Sequence, residues 1–167
     1  MGIYRSFAKG RYVRPIILEL GGKNPAIVSR HANLEDAAVG IVRSAFGLQG
    51  QKCSACSRVL IEEPVYDALV SRLVELTKKL VNGDPTERSV YLGPVVNKGA
   101  YGDFRRFTEE ISQAGRFLSG GQVLSGGDYA NGYFCQPTLA ELPLEHHLWR
   151  DEMFVPITTV AKVNDLE

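Results

Sequence analysis

Two short segments of the sequence combine residue types that could do chemistry. The first is Glu19-Leu20-Gly21-Gly22-Lys23-Asn24-Pro25, and the second is Gly50-Gln51-Lys52-Cys53-Ser54-Ala55-Cys56-Ser57-Arg58. A carboxylate set within an apolar run loses hydration, which raises its pKa and suits it to act as a general base. Glu19 stands in such a run, Pro15 to Leu20, and the competing reading is an ion pair with Lys23 or Arg58. Cys53 follows a glycine-bounded loop. Glycine lets backbone N–H groups converge near a sulfur, where they favour a thiolate and later an oxyanion. A free cysteine is otherwise a small buried hydrophobe without chemistry, so each segment taken alone leaves both of its readings open.

Other chemistries fit less well. Cys53 and Cys56 have the C-x-x-C spacing of a redox pair or of half a zinc site, but a tetrahedral site needs further ligands. The remaining candidates, Cys135, His31, His146 and His147, lack paired spacing, so no metal is expected. Gly21-Gly22-Lys23 lacks the spacing of a phosphate loop, and G-x-G-x-x-G occurs nowhere, so the chain carries no dinucleotide fingerprint of its own. No serine stands in a nucleophile-elbow pattern.

The elements that must position the two segments follow from apolar periodicity. Pro15 to Leu20 reads as a buried strand closed by Gly21-Gly22, which places Glu19 inside it. A second strand falls on Ala26-Ile27-Val28, and Asn33 caps a helix from Leu34 to about Phe46. The loop Gly47 to Lys52 leaves Cys53 in irregular chain just before a strand over Ser57 to Ile61. Pro64 opens a helix with the stripe Val65, Leu69, Leu73, Leu76 and Leu80, and a further stripe, Tyr101, Phe104, Phe107 and Ile111, ends near Gly115. Gly120-Gly121 and Gly126-Gly127 bracket a hairpin, Tyr133-Phe134 is extended, and the β-branched run Ile157 to Val163 is a strand. His146-His147 falls on a solvated helix or turn. Short strands alternating with amphipathic helices predict a layered α/β domain with a largely parallel sheet.

Bulk properties agree with one such domain. The chain has 167 residues, 44% of them hydrophobic, enough to bury a core. Nineteen basic residues balance nineteen acidic ones with no basic stripe, which argues against nucleic acid as a partner. The odd count of three cysteines, and no apolar leader after Met1, predict a reduced, cytoplasmic setting. No apolar run approaches the ~20 residues that span a bilayer.

Taken together, the two segments closely resemble the signature segments of the aldehyde dehydrogenase superfamily, and their separation fits. The resemblance continues through Gly83-Asp84-Pro85, Leu92-Gly93-Pro94, Gly132-Tyr133-Phe134 with Pro137-Thr138, and Asp151-Glu152-Met153-Phe154-Val155-Pro156, in the family's order. It covers residues 1–167 as part of a catalytic domain. It implies that Cys53 attacks an aldehyde, that a hydride leaves to NAD or NADP, and that Glu19 activates water to hydrolyse the resulting thioester. It further implies that the Cys53 N–H forms half of an oxyanion hole, and that Glu152, Phe154, Leu20 and Gly21 lie along the cofactor. Gln51 to Arg58 and the upstream Tyr4-Arg5-Ser6 look most like the 1-pyrroline-5-carboxylate dehydrogenase branch, which implies glutamate semialdehyde as substrate and Ser54 as a holder of its carboxylate.

Departures from the family pattern matter as well. The Rossmann-like coenzyme domain that precedes this segment in the family lies outside the sequence, as does the asparagine that completes the oxyanion hole. Val155 stands where a glycine is usual. Two readings follow: a catalytic portion served by a separate coenzyme-binding domain, or a folded remnant with a reactive thiol that acts as an interaction module. Apolar surface left uncovered by a missing domain predicts a homo-oligomer.

Overall fold

Each apolar run along the chain alternates between two destinations, and a sheet covered on both faces accounts for this. The computed structural model describes residues 2–12 and 15–164, without the side chains of Ile3 and Tyr4. Tyr4, used above for the branch resemblance, therefore lies outside the described side chains. Five strands form the main sheet: β1 (Asn24–Val28), β2 (Cys56–Glu62), β3 (Arg116–Ser119), β6 (Thr138–Glu141) and β7 (Ile157–Val163). Their order is β1-β2-β7-β6-β3, parallel throughout except for β3, which runs antiparallel to β6.

Successive residues on these strands point to opposite faces. Val59 and Ile61 of β2, Leu139 of β6 and Val160 of β7 enter one core with α2 (Leu34–Phe46) and α3 (Glu63–Lys78). Leu60, Ala140, Ile157 and Ala161 enter a second core with α4 (Lys98–Ala114), Leu148 and Trp149. Burial on both faces explains why β2 and β7 read as continuous apolar runs rather than alternating ones.

The starts expected for α2 and α3 are found, and α4 adds a cap of its own. Asn33 accepts hydrogen bonds from the N–H groups of Glu35 and Asp36 at 3.1 and 3.3 Å, capping α2. Pro64 occupies the first turn of α3, and Asn97 accepts from Ala100 N at the start of α4. A short helix α1 (Gly2–Phe7) precedes these elements. Among the described residues no helix is long and apolar enough to cross a membrane.

Two expectations are corrected. Residues 15–20 are not a buried strand: they have no regular structure, and Ile17, Leu18 and Leu20 are 85%, 56% and 71% exposed. An extended run is stable only with a neighbour to satisfy its N–H and C=O groups. Here β1 is the edge of the sheet, and no described strand pairs beyond it. The glycine pairs do not bracket a hairpin either. A two-residue strand β4 (Val123–Leu124) lies between them and pairs antiparallel with the distant β5 (Phe134–Cys135). All four glycines have positive φ and turn the chain at each end of β4.

Candidate active site

Sheet register brings the two chemistry-bearing segments together. β1 and β2 are parallel and Asn24 is opposite Cys56, so the residues leading into each strand approach side by side at one end of the sheet. The segment before β1 carries Glu19 to Lys23, and the segment before β2 carries Lys52 to Ala55. Asn24 ties them, its Nδ2 donating to Cys53 O at 2.6 Å and to Ala55 O at 3.4 Å. The approach is close enough that a Cβ on Gly22 would overlap Cys53 O and lie 3.1 Å from Cys53 C. Only glycine admits that packing.

A third segment arrives at the same end, because β7 is parallel to β2 and follows residues 152–156. Gly22 N donates to Glu152 Oε1 at 2.8 Å, and a Cβ on Gly21 would meet Glu152 Oε2. Gly50, at φ +69°, lies against the same segment, where a Cβ would fall 2.7 Å from Val155 O. Glu152 is therefore held against Gly21-Gly22, while Phe154 is 43% exposed with φ +53°. Positive φ in a bulky residue marks a constrained backbone. So do Leu48 and Gln49, both left-handed in the 3-10 turn Gly47–Gly50 that joins α2 to the Cys53 loop.

The three thiols are distinguished by burial. Cys53 is exposed, as is the neighbouring Ser54, whereas Cys56 and Cys135 are buried. Burial pushes the Cys56 thiol up to about 11 and the Cys135 thiol up to about 12. Cys56 donates to Arg58 O at 3.6 Å and packs in the first core, so it is a structural residue. As the thiolate is the nucleophile, the chain offers Cys53 for that chemistry.

Glu19 lies two residues before Gly21 on the segment that abuts Cys53, but it is exposed. The burial on which the base argument rested is not present around it. Neither of the competing ion pairs forms: among the described residues Glu19 has no salt bridge, Arg58 donates to Trp149 O at 3.1 Å, and Lys23 Nζ is buried without a hydrogen-bond partner. Burial, reinforced by the Arg58 charge, lowers the Lys23 pKa to about 8. The role of Asn24 as a tie was missed. Its place in the motif was visible, but the carbonyl it would bind depends on strand register.

Comparison with known proteins gives the same direction throughout. The family model described as "Aldehyde dehydrogenase family" matches residues 1–167. The chain is 43% identical over 157 residues to a 1-pyrroline-5-carboxylate dehydrogenase of Geobacillus thermodenitrificans, which covers 93% of this chain and 30% of the relative. It is 44% identical to the Geobacillus kaustophilus enzyme of the same name over the same shares. A solved 1-pyrroline-5-carboxylate dehydrogenase from Thermus with bound NAD superposes with a TM-score of 0.86 and 32% identity, over 98% of this chain and 32% of that one. A gamma-glutamyl-gamma-aminobutyraldehyde dehydrogenase from Burkholderia cenocepacia gives 0.84 and 30%, over 89% and 30%. The chain thus spans about a third of the length of the proteins it matches.

Proposed function

The chain belongs to the aldehyde dehydrogenase family, and on that premise we propose that residues 1–167, as part of a catalytic domain, carry the cysteine chemistry of an NAD(P)-dependent aldehyde oxidation. The proposed substrate is glutamate semialdehyde, the open form of 1-pyrroline-5-carboxylate, in keeping with the names of the Geobacillus relatives. One observation carries the reading. The segment bearing Glu19 is pinned by Asn24 and Gly22 against the loop of Cys53, the exposed thiol.

In this reading the Cys53 thiolate attacks the aldehyde carbon, forming a C–S bond and moving the carbonyl electrons onto oxygen. The Cys53 backbone N–H donates to that oxyanion. NAD(P), when bound, supplies the acceptor for the hydride that leaves the carbon. Glu19 then takes a proton from water as the water oxygen adds to the thioester. The C–S bond breaks, returning the Cys53 thiolate and releasing the acid. The exposed Ser54 hydroxyl, next to the nucleophile, is placed to bond the substrate carboxylate.

The residues proposed to meet the cofactor fit that duty in part. Glu152 uses Oε1 on Gly22 N, and among the described residues its Oε2 has no hydrogen-bond partner, leaving an acceptor for a ribose hydroxyl. Leu20 and Phe154 are exposed at the same end of the sheet, where Gly21 leaves the backbone bare. We also propose a coenzyme-binding domain, in the same polypeptide or a separate one, and self-association through apolar residues left exposed on and before β1, namely Ile17, Leu18 and Ile27. A cytoplasmic setting is proposed with them.

A cofactor-free half reaction tests the cysteine step. 4-Nitrophenyl acetate should acetylate Cys53, detected by peptide mass spectrometry. Cys53→Ser should remove the adduct, and Glu19→Gln should prolong it. Acetylation at another residue, or unchanged deacetylation in Glu19→Gln, would refute the assignment. If acetylation holds but no NADH forms from glutamate semialdehyde once the coenzyme domain is supplied, the reactive-thiol module becomes the better reading.

A further inference from the structure

His146 and His147 look unpromising as ligands in the sequence, where no further cysteine or histidine stands at paired spacing. The fold supplies a third donor. Glu110, near the C-terminal end of α4, meets the 3-10 turn His147–Trp149 and its cap His146. Ligand atoms of Glu110, His146 and His147 all lie within 4.8 Å of one another.

The hydrogen bonding of His147 is the telling feature. Its Nδ1 is 2.8 Å from Asp151 Oδ2 and its Nε2 is 2.8 Å from Glu110 Oε2. A neutral imidazole has one N–H, so one nitrogen lone pair must then face a carboxylate oxygen. Positive charge at that position removes the conflict. A proton does so. A metal ion on Nε2 would do so equally, with Asp151 holding the proton on Nδ1. Metal-ligating histidines typically have such a carboxylate behind them.

The other two donors are prepared in the same way. Arg106 Nη1 donates to Glu110 Oε1 at 3.1 Å, which orients the carboxylate and leaves Oε2 toward the histidine. His146 Nδ1 accepts from Leu148 N at 3.3 Å, which fixes its ring against the turn. The two imidazole rings stack with centroids 4.7 Å apart.

We propose that Glu110, His146 and His147 form a binding site for a divalent transition-metal ion, zinc by ligand chemistry, with Asp151 fixing the ligating tautomer of His147. Two imidazoles and a carboxylate suit zinc, with water as the fourth ligand. Tetrahedral bonds of ~2.0 Å separate ligand atoms by about 3.3 Å, so the His147–Glu110 pair must open by about half an ångström. Both side chains are partly exposed, which permits that adjustment and lets an ion enter. Asp151 immediately precedes Glu152, so a bound ion would brace the segment that packs on Gly21-Gly22.

The test uses zinc chloride and isothermal titration calorimetry near pH 7.5, in a Cys53→Ser background so that the exposed thiol cannot bind the ion. Saturable binding of one ion per chain is expected. His147→Ala should weaken it at least tenfold, Glu110→Gln and His146→Gln comparably, and Asp151→Asn by about tenfold. Circular dichroism of each variant checks the fold, and the three conservative variants serve if His147→Ala is misfolded. Cobalt in place of zinc should show tetrahedral absorption without thiolate charge transfer. Zinc binding that disappears with Cys53→Ser, or that survives all of the ligand substitutions, would overturn the proposal.

Discussion

Replacing Gly22 by alanine should damage the site while sparing the sheet. The added Cβ would overlap Cys53 O and stand 3.0 Å from Asn24 Nδ2, so both anchors of the Cys53 loop are affected. Restoring an ordinary van der Waals separation requires the carbonyl to retreat by about 1.4 Å. The obstacle is backbone, so no rotamer change relieves it. The retreat stretches the 2.6 Å bond from Asn24 Nδ2, the hydrogen bond that ties the two segments. Overpacking of this kind typically costs ~1–3 kcal/mol. The effect on reactivity should be larger, since a misplacement of ~1 Å at reacting groups can cost about a hundredfold. Differential scanning calorimetry and the rate of Cys53 acetylation by 4-nitrophenyl acetate measure the two effects on one sample. A Gly22→Ala protein that acetylates Cys53 at the parent rate, with its melting temperature unchanged, would refute the packing argument.

Labelling by iodoacetamide at pH 8 should modify Cys53 far faster than the other thiols. Cys53 is exposed, whereas Cys56, pushed up to about 11, is thiolate, the reactive form, in roughly 0.1% of molecules at that pH. Labelling of Cys56 or Cys135 within tenfold of Cys53 by mass spectrometry would contradict the burial argument. Gly40→Ala should stabilise the protein by about 0.5–1 kcal/mol in urea unfolding, because Gly40 is an exposed interior residue of α2 with nothing within 4 Å of an added Cβ. Lys23→Met should stabilise at pH 7, by up to about 3 kcal/mol. The folded pKa of Lys23 is lowered to about 8 from 10.5, so the folded state carries a buried ammonium below pH 8. That burden lifts as pH rises from 8 to 10.5, where the unfolded chain alone keeps the proton. The raised thiols of Cys56 and Cys135 act oppositely above about pH 9. The measurement is therefore the difference between variant and parent, which should shrink across that window; a constant difference would refute it.

What the sequence disclosed depended on whether the information was local. Asn33, Pro64 and the stripe from Val65 to Leu80 specify helix starts and faces within a turn or two, and α2 and α3 form there. β7 falls on Ile157–Val163 as expected, because a β-branched run buried on both faces has few alternatives. The run 15–20 is also apolar yet fails, since its fate depends on a neighbouring strand that composition cannot reveal. β4 failed for a related reason: Val123 and Leu124 pair with Cys135 and Phe134 across a long connection, although the glycines beside them suggested a local turn. At the site, the place of Cys53 in irregular chain just before β2 was legible from its loop. The tie from Asn24 and the meeting of Glu110 with His146-His147 were not, because each joins elements distant in the chain.

The placement of the site has a physical consequence. In open α/β sheets ligands usually bind beyond the carboxyl ends of the strands, yet here the converging segments lead into the amino ends of β1, β2 and β7. They meet at backbone atoms, Cys53 O against Gly22 and Val155 O against Gly50, with the side chains of Asn24 and Glu152 as ties. Backbone atoms are present whatever the side chains, so the position of Cys53 depends chiefly on strand register and on glycines that permit close approach. A slip of one residue between the edge strand β1 and β2 would turn Ala26 and Val28 out of the first core. The same burial that stabilises the sheet therefore fixes the Cys53 loop against the segment bearing Glu19, and substitutions in the core should disturb reactivity only when they shift that register.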